Sequence, residues 1–246
     1  MKTSLDNAKC NKKLEILEIK NSGLVSKFHH LGLYEKDIII RLDEDILISP
    51  LRIKGPGGMM VLGGGMSAKI VAHLDDGRKI PVTEMSNGES GHIEGIVGGT
   101  GLARTMDILG LKNDDRITLV RKLPPMEYSI IVDSMKRVKI SESIAAKIWG
   151  YTDGQSAPLQ FSSSGKGKKF LVDKILGGKR SAETVFMHGG IKPGSSIVLE
   201  GVKPIDTFAM SASKNKNLVI ISKADGLRLI MDKRACSSII VRQKEQ

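Results

Sequence analysis

Five histidines, two runs of glycine and two acidic clusters are the places where this sequence could do chemistry. The histidines are His29, His30, His73, His92 and His188. Adjacent residues on a helix point about 100° apart, so His29 and His30 cannot easily face one ion. His73 and His92 fall in strand-like segments, and His188 precedes the turn Gly189-Gly190. A metal site would need these ligands to converge from different parts of the chain. The expectation is surface and capping histidines, with no metal site. The runs Gly55-Pro56-Gly57-Gly58 and Gly63-Gly64-Gly65-Met66-Ser67-Ala68-Lys69 invite comparison with a phosphate loop. That loop needs Gly-x-x-x-x-Gly-Lys-Ser/Thr, so that backbone N–H groups and the lysine converge on phosphates. Here Ala68 precedes Lys69 and Ile70 follows it, so tight turns are expected. The clusters Asp43-Glu44-Asp45 and Asp75-Asp76 read as hairpin tips, where aspartate is favoured for local hydrogen bonding. No serine or cysteine nucleophile motif is present. No catalytic residue and no cofactor is expected, and the chain does not read as an enzyme.

One basic stretch stands out. Ser162-Ser163-Ser164-Gly165-Lys166-Gly167-Lys168-Lys169 reads as a flexible linker, and with Lys174, Lys179 and Arg180 it could present a basic surface. Lysines and arginines exceed acids by 16 to 7 over residues 154–246, against 13 to 10 over 1–79 and 9 to 10 over 80–153. Most of the net charge of +11 therefore sits in the last third. An acidic protein surface fits such a patch. Nucleic acid fits it less well, because only Phe161 and Phe170 lie nearby to stack on bases.

The elements that must position these residues are short. Apolar residues make up 40% and aromatics only 4%, so the core must be built from Ile, Leu, Val, Met and Ala. The 27 glycines favour many tight turns. No apolar run approaches the roughly 20 residues that span a bilayer, and the N-terminus lacks an apolar stretch of signal-peptide type. A cytoplasmic protein is expected. Cys10 and Cys236 are too few and too far apart for a disulfide framework.

An internal repeat organises the chain. Gly23-Leu24, Phe28, Leu31-Gly32-Leu33, Asp37 and Ile39 recur 78 residues later as Gly101-Leu102, Met106, Leu109-Gly110-Leu111, Asp115 and Ile117. A weaker third copy follows after 80 more, with Phe186, Gly189-Gly190-Ile191, Ser195 and Ile197. Ala68-Lys69-Ile70 lies 36 residues after Gly32, and Ala146-Lys147-Ile148 lies 36 after Gly110. The same step from Gly190 reaches Gly226. Each copy reads as a strand, a short helix ended by a glycine, then four short strands, with Pro124-Pro125 breaking the second copy after its second strand. Strands this short suit a small closed barrel that hides its edges.

The segments Gly88-Glu89-Ser90-Gly91-His92-Ile93, Leu109-Gly110-Leu111-Lys112-Asn113-Asp114, Pro124-Pro125 and Ala145-Ala146-Lys147-Ile148 resemble the FeoA domain. The resemblance implies a mainly β chain of three tandem Src-homology-3-like barrels, each with one short helix, over residues 1–79, 80–153 and 154–246, the last divergent and basic. It further implies a non-enzymatic protein-interaction module. The leading expectation is an adaptor that docks onto a larger protein complex, with Lys166, Lys168, Lys169, Lys174, Lys179 and Arg180 as contacts. The alternatives are an accessory factor in ferrous-iron transport or metal handling, and nucleic-acid binding by the third barrel.

Overall fold

The computed structural model describes residues 2–44, 48–124, 126–205 and 218–244. Asp45 and Pro125 lie outside the described residues. The elements follow the repeat. The first run is β1 (Lys2–Ser4), β2 (Lys13–Ile19), α1 (Ser22–His30), β3 (Ile38–Leu42), β4 (Leu51–Gly55), β5 (Gly58–Leu62), α2 (Gly64–Ser67) and β6 (Ile70–Leu74). The second is β7 (Lys79–Pro81), β8 (Ser90–Ile96), α3 (Thr100–Ile108), β9 (Arg116–Lys122), β10 (Met126–Val132), β11 (Lys136–Ser141), α4 (Glu142–Ala145) and β12 (Ile148–Thr152). The third is β13 (Leu159–Gln160), β14 (Lys169–Ile175), α5 (Lys179–Gly189), β15 (Ser196–Pro204), β16 (Leu218–Lys223), β17 (Arg228–Asp232), α6 (Lys233–Cys236) and β18 (Ile239–Gln243).

Local chemistry sets these boundaries. The Asn21 side chain accepts the Leu24 N–H and starts α1. Gly32, Gly110 and Gly190 end the three long helices with φ of 77°, 66° and 72°, a left-handed turn that glycine adopts without strain. The Leu33 N–H then reaches back to the Phe28 carbonyl, and that of Leu111 to Met106. α5 closes differently, with the Gly190 N–H on the Phe186 carbonyl. This shifts its inward position by one residue. Phe28 and Met106 are buried, but Phe186, expected to match them, is 54% exposed and Val185 fills the core instead.

Three six-stranded antiparallel sheets result, all with one strand order. Sheet A runs β1-β18-β2-β3-β16-β17, sheet B β7-β6-β8-β9-β4-β5 and sheet C β13-β12-β14-β15-β10-β11. Each takes three strands from one repeat and three from the next. The expected boundaries at residues 79 and 153 therefore cut sheets B and C rather than separate them. Leu123 and Pro124 each precede a proline, which disfavours the helical region, and after them the chain passes out of sheet B into β10 of sheet C. Sheet A is completed by the last three strands returning to the first three.

The expected closed barrels do not form. The outer strands of a sheet are left unpaired with each other, and four of the six, β7, β17, β5 and β13, meet a neighbouring sheet instead. β7 bridges to Leu227 beside β17. On β13, the Gln160 amide donates to the Val61 carbonyl on β5 at 2.8 Å and accepts the Val61 N–H at 2.9 Å. This covers edges that would otherwise be open to other chains. Sheets A and B are further joined by Lys69–Asp232 at 2.8 Å and Arg228–Glu84 at 2.6 Å. Among the described residues, no hydrogen bond or ion pair joins sheet C to sheet A.

The third copy needs two corrections. Its alanine landmark is Ser237, which caps α6 as Ala68 caps α2 and Ala146 caps α4. Gly226 lies instead in the β16–β17 turn at φ 92°. The count fails because thirteen residues separate β15 from β16, against three between β9 and β10. The stretch Ser162–Lys169 is no linker either. It forms a 3-10 turn and a tight turn inside sheet C, with Ser162 8% exposed. Gly167 there has a positive φ and donates to the Leu199 carbonyl, as Asn11 does to Arg41 and Gly88 to Leu119. Both cysteines are free, and burial pushes the Cys236 thiol up to about 12.

Two outcomes are expected. Gly110→Ala should cost about 1 kcal/mol in a urea melt, because its cost is conformational and a Cβ there would touch nothing within 4 Å. A fragment of residues 48–123, which holds all six strands of sheet B, should melt cooperatively as a monomer. The fragment 80–153, holding half of each of two sheets, should self-associate in sedimentation.

Candidate metal centre

β6 comes from the first repeat and β8 from the second, and they pair antiparallel with His73 opposite His92. The alternation of β8 buries Gly91, Ile93 and Gly95 and turns His92 and Glu94 to the other face. Gly91 permits the close approach, since a Cβ there would sit 2.3 Å from the His73 carbonyl oxygen. The register slips after His73–His92 and Ala72–Ile93, leaving Glu94 as the extra residue of a β-bulge. The imidazole rings stand edge to face with centroids 4.9 Å apart.

The Glu94 carboxylate lies between them. Its Oε2 is 3.4 Å from His73 Nδ1 and 3.4 Å from His92 Nε2, and its Oε1 accepts from Lys79 Nζ at 2.5 Å. The Glu94 side chain is 15% exposed, those of His73 and His92 32% and 40%. Burial alone would raise the Glu94 carboxyl. The Lys79 hydrogen bond and charge, with smaller contributions from the two imidazoles, outweigh it and hold the group below the usual carboxylate range. His73, His92 and Glu94 offer three ligand atoms that lie within 4.8 Å of one another.

The expectation of surface and capping histidines with no metal site meets a cluster here, because the pairing of β6 with β8 brings His73 and His92 from different repeats side by side. The signal in the sequence was the period-two spacing of His92 and Glu94, which puts both on one face. His29 and His30 do not converge: His29 faces Glu35 at 3.4 Å, and His30 faces Asn113. His188 sits on α5, 2.8 Å from the Thr184 carbonyl.

The six basic residues expected to dock a partner are all exposed. They are strung along β14 rather than gathered. Lys166 and Lys168 precede the strand, Lys169 and Lys174 lie on it, and Lys179 and Arg180 open α5. Seven strand residues span roughly 23 Å. Lys174 pairs with Asp173 at 3.1 Å. Asp75 and Asp76 fall in the β6–β7 turn as expected, Asp75 paired with Arg116 and Asp76 with Arg78, but Asp43 and Glu44 are no hairpin tip, because the chain passes there from β3 in sheet A to β4 in sheet B. The glycine run at 63–65 starts the four-residue α2 and lines a cleft of about 290 Å³ between α2, the first turn of α3 and Gly177-Gly178. Lys147 lines it too, and burial lowers its pKa.

Glu94 holds its proton less readily in the folded chain than in the unfolded one. Its contribution to stability is therefore present above the ordinary glutamate range and lost as pH falls through the depressed value. Lys79→Met should raise the Glu94 carboxyl, read by carbon NMR titration. An unmoved titration would remove Lys79 as the cause.

Residues 80–151 match the FeoA domain family, under a third of the chain. No curated protein and no solved structure matches. The matched segment covers the second repeat and contains His92 and Glu94, with His73 just before it.

Proposed function

We propose that this chain is a non-enzymatic accessory component of ferrous-iron transport, built of three FeoA-like units in tandem. The observation that carries the reading is the FeoA match over residues 80–151, which coincides with one structural repeat from β7 to β12. The common strand order of sheets A, B and C supports extending the likeness to the other two repeats. The third is the divergent one, with its longer β15–β16 connection and its own helix ending.

Among the described residues, no helix is long and apolar enough to cross a membrane. In this reading the chain acts on transport through a partner that does cross. The exposed basic residues on and around β14 supply a basic strip for an acidic surface of that partner. General adaptor docking with no link to metal is the weaker reading, because nothing in the comparisons favours it over the family's iron-transport role.

Deletion of the gene in its native host should lower uptake of radiolabelled ferrous iron under reducing conditions, and re-expression of the full chain should restore it. Uptake equal to that of the parent strain would overturn the reading.

A further inference from the structure

We propose that His73 Nδ1, His92 Nε2 and Glu94 Oε2 bind one divalent first-row transition ion per chain, in an open site with room for water or an exchanging ligand. The geometry makes the case. Both imidazole nitrogens stand 3.4 Å from the carboxylate oxygen. That is long for a charge-assisted hydrogen bond, which closes to about 2.7–2.9 Å. It matches the edge of a tetrahedron about an ion with ligand distances near 2.1 Å, which is roughly 3.4 Å. The third edge, between the two nitrogens, is within 4.8 Å, and small rotations of the rings can close it.

The donor set narrows the ion. Two imidazoles and one carboxylate suit iron(II), cobalt(II) or zinc(II), whereas magnesium and calcium prefer all-oxygen sites. Three protein ligands leave coordination positions free, and the side chains of His73 and His92 are about a third exposed or more. A closed structural site would use four protein ligands and be buried. Lys79 holds the other carboxylate oxygen at 2.5 Å, so Glu94 presents a single oxygen to the ion.

The other two sheets supply an internal control. At the same places in sheet A, Arg242 stands opposite Glu15 and forms an ion pair at 2.7 Å, and the bulge residue is Leu17. In sheet C, Tyr151 stands opposite Leu171, and the bulge residue Asp173 pairs with Lys174 at 3.1 Å. The bulge is common to all three sheets, but among the described residues the ligand set belongs to sheet B alone, and one such site per chain follows.

The site stands on its own geometry, but assigning its ion as transported iron rests on the accessory reading above. The test uses cobalt(II) as the probe, added to the full chain and followed by its visible absorption and by calorimetry. One cobalt per chain is expected. His92→Gln and Glu94→Gln should each weaken binding at least about tenfold, with an unchanged circular dichroism spectrum. Lys79→Met should tighten it, because an ammonium beside the ion is removed. Equal binding by His92→Gln and the parent would place the ion on His29, His30 or His188 and overturn the proposal, as would no binding at all. Either failure, with iron uptake still dependent on the gene, would leave the accessory role standing.

Discussion

The pairing of β16 with β3 holds the first repeat to the last, from Ile220 opposite Leu42 to Lys223 opposite Ile39. Without it β3 would lose its partner on the side away from β2, and β16 and β17 would drop out of sheet A. Lys223 adds a second tie. Its Nζ donates to the Gly32 carbonyl at 2.8 Å, at the end of α1, and pairs with Asp37 at 3.1 Å. β18 then threads between β1 and β2 and completes the sheet. The same exchange links each repeat to the next, so no sheet is the product of one repeat.

The candidate metal centre depends on that exchange. His73 belongs to the first repeat, and His92 and Glu94 to the second. Were the second repeat to close on itself, β12 would lie against β8 and Tyr151 would face His92. A phenol and an imidazole in that register would not form the same ligand set. The bulge coincides with the site, because Glu94, on the histidine face by alternation, is its extra residue.

Much of this was legible in the sequence. The offsets of 78 and 80 residues located the equivalent strands, and the glycines at 32, 110 and 190 marked the helix ends. Alternation along β8 showed which side chains share a face. It could not show which strand lies alongside, because inward and outward positions look the same whether β9 folds back on its own repeat or onto β4. Pro124-Pro125 marks the end of a strand, but a strand break does not say whether the chain then folds back or crosses to another sheet. The His73–His92 pair was hidden for the same reason, since it is a fact of register between repeats. Gly226 misled because a fixed step of 36 residues cannot register the longer connection before β16, which moves the landmark to Ser237.

The interleaving also fixes an order of assembly. A chain emerging from the ribosome completes sheet B once residue 122 is out, and sheet C only at residue 204. The first strands to be made, β1 to β3, are the last to be satisfied, because their partners are the final three. For most of synthesis the apolar run Ile38-Ile39-Ile40 in β3 has β2 along one edge and no strand along the other. A nascent chain of this design must keep its oldest segment from pairing elsewhere until its newest arrives.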